Sequence, residues 1–246
     1  MRAAAAFERG AFGRPFFIVI QSRGMTSPQL KERKTRISKI NAKLKKLFPH
    51  ATIALRYKTD WELLVAVELS AQCTDKMVNK VTEKLFKKYR TLNDYVKADP
   101  RQFEQDIKPT GFYRNKTKNI LAAAKLLKEK FNGTIPKTMP EMLQLPGVAR
   151  KTANVVLGNA HGVVEGIAVD THVRRFVTRF DLSDYRDPVR IELDLMALLP
   201  RKEWFPFTYR LIDYGRAVCP ARKHDCRSHP LTKLYPRAAN RWPRAR

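Results

Sequence analysis

The apolar residues of this chain recur mainly at spacings of three and four. Between Asn115 and Phe131 they form one face of a helix whose other face is rich in lysine. The stretches from Trp61 to Ala71 and from Lys76 to Tyr89 have the same short helical character. Patterns typical of strands are almost absent. The spacing therefore predicts an all-α protein of about ten helices joined by brief loops.

Proline and glycine mark the predicted helix ends. The Asp-Pro steps at residues 99–100 and 187–188 combine an aspartate that can cap free backbone amides with a proline that fits the first helical turn. Gly133 and Gly147 follow apolar periodic stretches and indicate the ends of helices. There is no internal repeat and no low-complexity linker, so we expect only the termini to be loose.

The charge of the chain indicates a polyanionic partner. Lysine and arginine outnumber aspartate and glutamate by 49 to 23, which gives a net charge of +26. Residues 1–48 and 227–246 together contribute +16, and the middle of the chain keeps +10. Because the predicted folded part is itself basic, we expect it to bind nucleic acid phosphates even without the terminal segments.

Cysteine usage and the length of the apolar runs narrow the class further. Cys73, Cys219 and Cys226 do not form a disulfide framework, and no apolar run approaches the ~20 residues that span a bilayer. We expect an intracellular, soluble monomer that has no membrane partner. Residues 1–25 are read either as a targeting peptide or as a flexible extension.

A helix-hairpin-helix pattern runs through residues 142–156, with the turn Leu-Pro-Gly-Val-Ala at 145–149. Its proline fixes one φ angle and Gly147 permits a backbone conformation that other residues resist. Amides near Gly147 and Ala149 can then point outward at the start of the second helix, where they would bind a phosphate without reading sequence. Arg150 adds positive charge beside them. A Pro-Gly turn between helices is, on its own, usually structural.

This hairpin and the segment IAVDTHV at 167–173 together resemble the endonuclease III family of helix-hairpin-helix DNA glycosylase/AP lyases. The resemblance also covers SAQCTDKMVN at 70–79, IKPTGFYRNK at 107–116 and the run to Cys226. It implies a base-excision-repair enzyme that removes oxidised pyrimidines and cleaves the abasic site by β-elimination. The implied partner is double-stranded DNA with a damaged base or an abasic site.

The resemblance also implies a two-lobed all-α fold with DNA bound in the cleft between the lobes. One lobe spans residues 53–163 and contains the helix-hairpin-helix. The second combines residues 26–52 with 164–246 and includes a degenerate cluster loop and a basic tail.

The resemblance carries two catalytic residues. Lys151 matches the family's nucleophilic lysine, and Asp170 matches its catalytic aspartate. An amine suits this chemistry because its attack on the sugar C1′ expels the base and leaves a Schiff base that permits β-elimination. A carboxylate can stabilise the positive charge that develops on the sugar. Without the motif, Lys151 would be read as a solvated lysine and Asp170 as a helix cap.

A glycosylase must flip its target base out of the stack and fill the gap that remains. Gln72 and Phe112 match the two family loop positions that enter the duplex; the alternative is that Phe112 and Tyr113 anchor a loop to the core. His172 is assigned either to phosphate or pocket contact, or to capping and packing. The predicted DNA contacts are Gln72, Phe112, Tyr113, Lys116, Leu145, Gly147, Ala149, Arg150 and His172.

Many relatives in this family hold a [4Fe-4S] cluster with four cysteines spaced C-x6-C-x2-C-x5-C. In the same register this chain has Cys219, Cys226, His229 and Tyr235. We therefore expect no standard cluster, no cofactor required for the chemistry and a metal-free loop. Zinc at Cys219, His224, Cys226 and His229 is a less favoured alternative, because one residue between His224 and Cys226 is unlike the usual finger spacing.

Two other functions compete with the bifunctional enzyme. A monofunctional mismatch glycosylase of the same fold would use water in place of an amine, and Lys151 argues against it. A helix-hairpin-helix DNA-binding module without catalysis would have little chemical reason to keep both Lys151 and Asp170. Borohydride trapping identifies the bifunctional enzyme, and base release separates the other two.

Overall fold

The computed structural model describes residues 25–241, and every regular element in that range is a helix. This confirms the all-α prediction. No helix in the described range is long and apolar enough to cross a membrane. The eleven α-helices are α1 (Ser27–Leu47), α2 (Asp60–Leu69), α3 (Asp75–Lys88), α4 (Leu92–Val96), α5 (Pro100–Ile107), α6 (Tyr113–Lys130), α7 (Met139–Met142), α8 (Arg150–His161), α9 (Thr171–Arg179), α10 (Pro188–Leu198) and α11 (Arg201–Ala217), with 3-10 turns at Lys108–Thr110, Thr232–Leu234 and Pro236–Ala239.

The two Asp-Pro steps start helices as predicted. The Asp99 carboxylate accepts from the Gln102 amide at 2.8 Å, and Asp187 does the same for Arg190 at 3.0 Å. Gly133 ends α6 with a φ of +72°, and its amide donates to Leu127 O. Gly147 differs from the prediction, because α7 ends at residue 142 and the glycine lies within the hairpin.

Most of the helices begin with a side-chain cap, and three do not. Eight of the eleven α-helices in the described range begin after a threonine or aspartate that accepts a backbone amide of the first turn. Phe112, Ala149 and Pro200 precede the remaining three and provide no such acceptor. The first amides of α6, α8 and α11 therefore have no side-chain cap.

The buried apolar side chains form two hydrophobic cores. The first, which we call the central core, is built from residues 55–157. The second, the terminal core, combines α1 with residues 167–238. The exact bounds of the two predicted lobes stay a prediction, and the proposed extension lies, up to residue 24, outside the described range.

Polar contacts from α8 join the two cores. Arg150 Nε donates to Glu192 Oε2 at 2.8 Å, and Asn154 Nδ2 donates to Glu192 Oε1 at the same distance. Farther along α8, Asn159 Nδ2 donates to the Tyr209 hydroxyl at 2.7 Å. Because Glu192 is on α10 and Tyr209 on α11, these bonds fix how α8 lies against the terminal core.

Candidate active site

The hairpin before α8 presents backbone amides and has little room for side chains. Gly147 has a φ of +82°, and a Cβ there would lie 2.8 Å from Glu68 Oε2 and 2.9 Å from Asn119 Cβ. Ala149 has a φ of −93°, so the alanine fits at this position without strain. Leu145 as a whole is only 2% exposed, so it differs from its predicted role as a direct DNA contact and instead packs the hairpin onto the central core.

Lys151 lies on the first turn of α8 and is exposed. The neighbouring Arg150 is turned away into its ion pair with Glu192, whose side chain is only 5% exposed. A buried carboxylate needs such a partner, because an uncompensated charge inside the protein is costly. Arg150 therefore has a structural bond that the sequence did not reveal, and Lys151 is left as the accessible cation of this turn.

The segment after α8 runs back toward the start of that helix. The Val163 amide donates to Leu157 O near the end of α8. Three residues later, Gly166 packs beside Asn154 and so closely against Glu192 that a Cβ would collide with the carboxylate. The segment therefore approaches the end of α8 that carries Lys151.

Asp170 ends this returning segment and caps α9. Its Oδ1 accepts from the Val173 amide at 2.8 Å, which fixes the orientation of the carboxylate. Before it, Ala168 O accepts from the Thr208 hydroxyl at 3.0 Å, so the backbone leading to Asp170 is tied to α11. Asp170 thus does cap a helix, as the alternative interpretation proposed. The cap uses only Oδ1 and leaves Oδ2 for another role.

His172 packs beside Asp170 rather than projecting freely. It lies so close to Gly215 of α11 that a Cβ at that glycine would collide with Nδ1. Burial lowers the pKa of His172, while Asp170 acts in the opposite direction. Nearby, Arg216 of α11 forms an ion pair with Asp75 at the start of α3, which joins the two cores a second time. His172 is therefore a neutral, half-buried ring in this surface.

Two loops at the surface of the central core have strained backbone. Gln72 has a φ of +54° and Phe112 a φ of +48°, values that non-glycine residues rarely adopt. The Phe112 side chain is 61% exposed, more than any other large apolar side chain in the described range. Phe112 therefore does not anchor the loop to the core, as the alternative proposed. Tyr113, in contrast, does pack against that core.

Lys116 differs from its predicted role as a direct DNA contact. It is only 6% exposed, and its ammonium donates to Leu69 O at 2.8 Å and to Thr110 O at 2.9 Å. Burial lowers its pKa. These two carbonyls precede the loops that carry Gln72 and Phe112, so Lys116 joins the loops from inside. It positions them and does not reach the surface itself.

Glu68 is a buried acid behind the hairpin. It lies on α2, is 7% exposed, and its Oε1 has no hydrogen-bond partner among the described residues. Burial raises its pKa to about 8. A carboxyl in such surroundings keeps its proton at neutral pH. No sequence motif indicated this residue, although it interrupts an otherwise apolar helix.

The loop after α11 brings four possible metal ligands together. One ligand atom from each of Cys219, His224, Cys226 and His229 lies within 4.8 Å of the others. The prediction of a metal-free loop is therefore wrong, because this arrangement is that of a metal site. The usual presence of a [4Fe-4S] cluster in the family that the sequence resembles agrees with a metal centre at this place.

Two features of this loop could not be read from the register of cysteines. Tyr235, which takes the fourth register position, packs under the guanidinium of Arg36 at 4.1 Å from the ring centre. His224, which is outside the register, joins the group in its place. The sequence signal that could have indicated His224 is its short spacing to Cys226, since only one residue separates the two.

Comparison with known proteins identifies related sequences and structures. A family described as HhH-GPD superfamily base excision DNA repair protein matches residues 65–201. Endonuclease III of Synechocystis sp. is 49% identical over 210 residues, which cover 85% of this chain and 96% of that protein.

Two solved structures are similar over nearly their whole length, each with 43% identity and a TM-score of 0.80. One is a non-covalent endonuclease III–DNA complex, and the match covers 84% of this chain and 97% of that chain. The other is a trapped endonuclease III–DNA covalent intermediate with an estranged adenine, for which the shares are 85% and 99%.

Proposed function

Because this chain belongs to the endonuclease III family of HhH-GPD superfamily base excision DNA repair proteins, we propose that it is a bifunctional DNA glycosylase and AP lyase. Its substrate is double-stranded DNA that contains an oxidised pyrimidine or an abasic site. Its products are the free base and a strand cut with a 3′ unsaturated aldehyde. Lys151 is the nucleophile and Asp170 the assisting carboxylate.

The observation that carries this proposal is the accessible amine of Lys151 on the uncapped first turn of α8. The amides of that turn attract the DNA phosphate, since helix N termini bind anions. Arg150 faces Glu192 and does not compete with Lys151 for the sugar. The segment that carries Asp170 runs back toward this same end of the helix.

The chemistry proceeds from the neutral amine of Lys151. Nζ forms a bond to the sugar C1′ while the bond from C1′ to the base breaks, and the base leaves with the electron pair and takes up a proton. The bond between C1′ and the ring oxygen O4′ then breaks, O4′ takes up a proton and stays on C4′ as a hydroxyl, and the lone pair of Nζ forms the Schiff base. Removal of a 2′ proton then expels the 3′ phosphate, and water releases the lysine.

Asp170 stabilises the positive charge that develops on the sugar. Its Oδ1 is held by the Val173 amide, so the carboxylate keeps one orientation before the substrate binds. Preorganised charge of this kind lowers the barrier because no reorganisation is needed during the reaction. His172 packs behind it against α11 and supports that orientation.

Phe112 and Gln72 take the place of the flipped base in the stack. Both project from loops in left-handed backbone conformations, and Phe112 is already exposed in the free protein. An aromatic wedge recovers part of the stacking energy lost when a base leaves the duplex. Tyr113 supports Phe112 from the core side, and Lys116 holds the two loops together from within.

The phosphate backbone is held by the hairpin. The amides at Gly147 and Ala149 and those at the start of α8 bind a phosphate without reading sequence. Leu145 is buried in the central core and anchors the hairpin that carries these amides. Arg150 acts on this site at a distance, through its charge and through its bond to Glu192.

The test is borohydride trapping on a duplex that contains one thymine glycol. Borohydride reduces the Schiff base and leaves a covalent adduct between enzyme and DNA. Wild type should give the adduct, Lys151→Gln should not, and Lys137→Gln should behave as wild type because Lys137 is exposed on a different segment. Binding of the same duplex is measured for each variant to show that the loss is chemical.

Two outcomes would replace the proposal. Base release without an adduct would indicate a monofunctional enzyme that uses water. Binding of the damaged duplex with neither base release nor adduct would indicate a DNA-binding module without catalysis. An adduct that persists in Lys151→Gln would assign the nucleophile to another amine.

A further inference from the structure

We propose that Cys219, His224, Cys226 and His229 bind one zinc ion. The set has two sulfur and two nitrogen donors, a combination that zinc takes in structural sites. It is not the set of cysteines that the family register defines, because His224 lies outside that register and Tyr235 inside it. The ion is structural, since all four positions are protein ligands and none is left for water.

The spacing of the donors suits a single ion. Zn–S bonds of about 2.3 Å and Zn–N bonds of about 2.0 Å place the corners of a tetrahedron about 3.3–3.8 Å apart. The four ligand atoms of the protein lie within 4.8 Å of one another. Shifts of about 1 Å or less therefore complete the coordination. Two of the donors, Cys219 and Cys226, are fully buried in the terminal core.

The backbone of the loop explains how four ligands from eleven residues reach one point. His224 and Cys226 are separated by a single residue of an irregular segment, and the ligand atoms of both belong to the same group. A turn follows, in which the His229 amide donates to Cys226 O at 3.0 Å and returns His229 to its neighbours. The rings of His224 and His229 lie with their centres 5.1 Å apart.

The loop also orients one of its imidazoles. His224 Nδ1 lies 2.8 Å from Arg222 O. Since a carbonyl can only accept, Nδ1 carries the proton and Nε2 carries the lone pair. Ligating histidines in metalloproteins are fixed in this way by a bond from the other ring nitrogen. Nδ1 of His229 is buried and has no hydrogen-bond partner in the described range, as expected for a nitrogen reserved for a metal.

A buried arginine supplies the outer contacts to the sulfurs. Arg179 is 0% exposed and donates to Cys219 Sγ at 2.9 Å and to Cys226 Sγ at 2.6 Å. Hydrogen bonds to ligand atoms from outside the coordination shell hold those ligands in place, and zinc binding releases the two thiol protons to solvent. Arg175 adds a bond to Cys219 O at 2.9 Å. Arg179 and Arg175 are therefore positioning residues of the site.

The experiment measures metal in the full-length protein. Elemental analysis of purified wild type should give one zinc per chain, with no stoichiometric iron or acid-labile sulfide. His224→Ala should lose the zinc, whereas His50→Ala should keep it, because His50 is exposed and outside the group. Replacement of zinc by Co²⁺ should give the visible absorption of a tetrahedral site with thiolate ligands in wild type and in His50→Ala, but not in His224→Ala.

A second variant distinguishes loss of a metal ligand from a folding defect. His224→Cys changes the ligand set to three cysteines and one histidine, which zinc also accepts, and it should restore the metal that His224→Ala loses. Stoichiometric iron with sulfide would overturn the proposal in favour of an iron–sulfur cluster. Protein without metal that also fails to bind added Zn²⁺ or Co²⁺, or zinc retained in His224→Ala, would likewise overturn it.

Discussion

Replacing Glu68 with glutamine should remove a pH-dependent destabilisation from the fold. Burial raises the pKa of this carboxyl from 4.5 to about 8. Between these values the folded protein holds a proton that the unfolded chain has released. Folding stability therefore falls as the pH rises through this window, because the unfolded state binds fewer protons. Below it, the carboxyl is neutral in both states and costs nothing.

The size of the effect follows from the shift. One pKa unit corresponds to about 1.4 kcal/mol, so keeping Glu68 protonated costs about 3 kcal/mol at pH 7 and about 5 kcal/mol above pH 8. These are upper values, since water can enter an opened hairpin. Glutamine has nearly the same shape and no charge to lose. The free energy of unfolding of Glu68→Gln relative to wild type should therefore increase with pH and then level off.

The assay is urea unfolding of both proteins from about pH 5 to about pH 9, with the difference in unfolding free energy plotted against pH. Glu129→Gln is the matched control, because Glu129 is an exposed acid on α6. The slope of the difference matters more than its absolute value, since a buried amide carries its own cost. A difference that does not change with pH would refute the reasoning, and so would an equal slope in the control.

Four further substitutions test the site, the last of them in a double variant. Asp170→Asn should abolish base release in a single-turnover assay while changing stability by about 0.5 kcal/mol or less, because asparagine also caps helices; normal base release would contradict its role. Phe112→Ala should leave thermal stability nearly unchanged, since the ring is 61% exposed. It should slow excision about tenfold if the inserted ring returns about 1.4 kcal/mol of unstacking energy. An unchanged rate would contradict the role of Phe112 as a wedge. Arg150→Ala should lower the unfolding free energy by about 2 kcal/mol, which is less than for a fully buried pair because Arg150 is 33% exposed. Adding Glu192→Gln to this variant should recover part of the loss, because the buried charge is then removed. Failure to recover would mean that the pair does not stabilise the fold.

Local rules predicted the parts of the fold that depend on neighbours in sequence. The Asp-Pro steps start α5 and α10, and the lysine-rich amphipathic stretch forms α6, because caps and helical periodicity act within a few residues. Lys116 shows where this reasoning falls short. It occupies the same face as Ile120, Ala123 and Leu127, so its spacing indicated a buried lysine. Its match to the family motif predicted a direct DNA contact instead.

Partners that are distant in sequence could not be predicted. Glu192 meets Arg150, and Gly166 meets Glu192 and Asn154, only through the path of the chain in space, and no local pattern records those contacts. The metal ligands failed for a related reason. The spacing of zinc fingers disfavours His224, whereas the path of the loop brings its ligand atom to within 4.8 Å of that of Cys226. Both depend on the path of the backbone and not on the residue types alone.

The terminal core is assembled from two segments that are far apart in the chain, and this sets an order on synthesis. The central core, which includes α8 and Lys151, is complete once residues 55–157 have left the ribosome. Helix α1 is made earlier, but the residues that cover it, 167–238, are made last. Domains generally fold as units during synthesis. A nascent chain therefore carries Lys151 on a folded surface before Asp170 is anchored, and we expect the proposed strand cleavage only after the terminal core has formed.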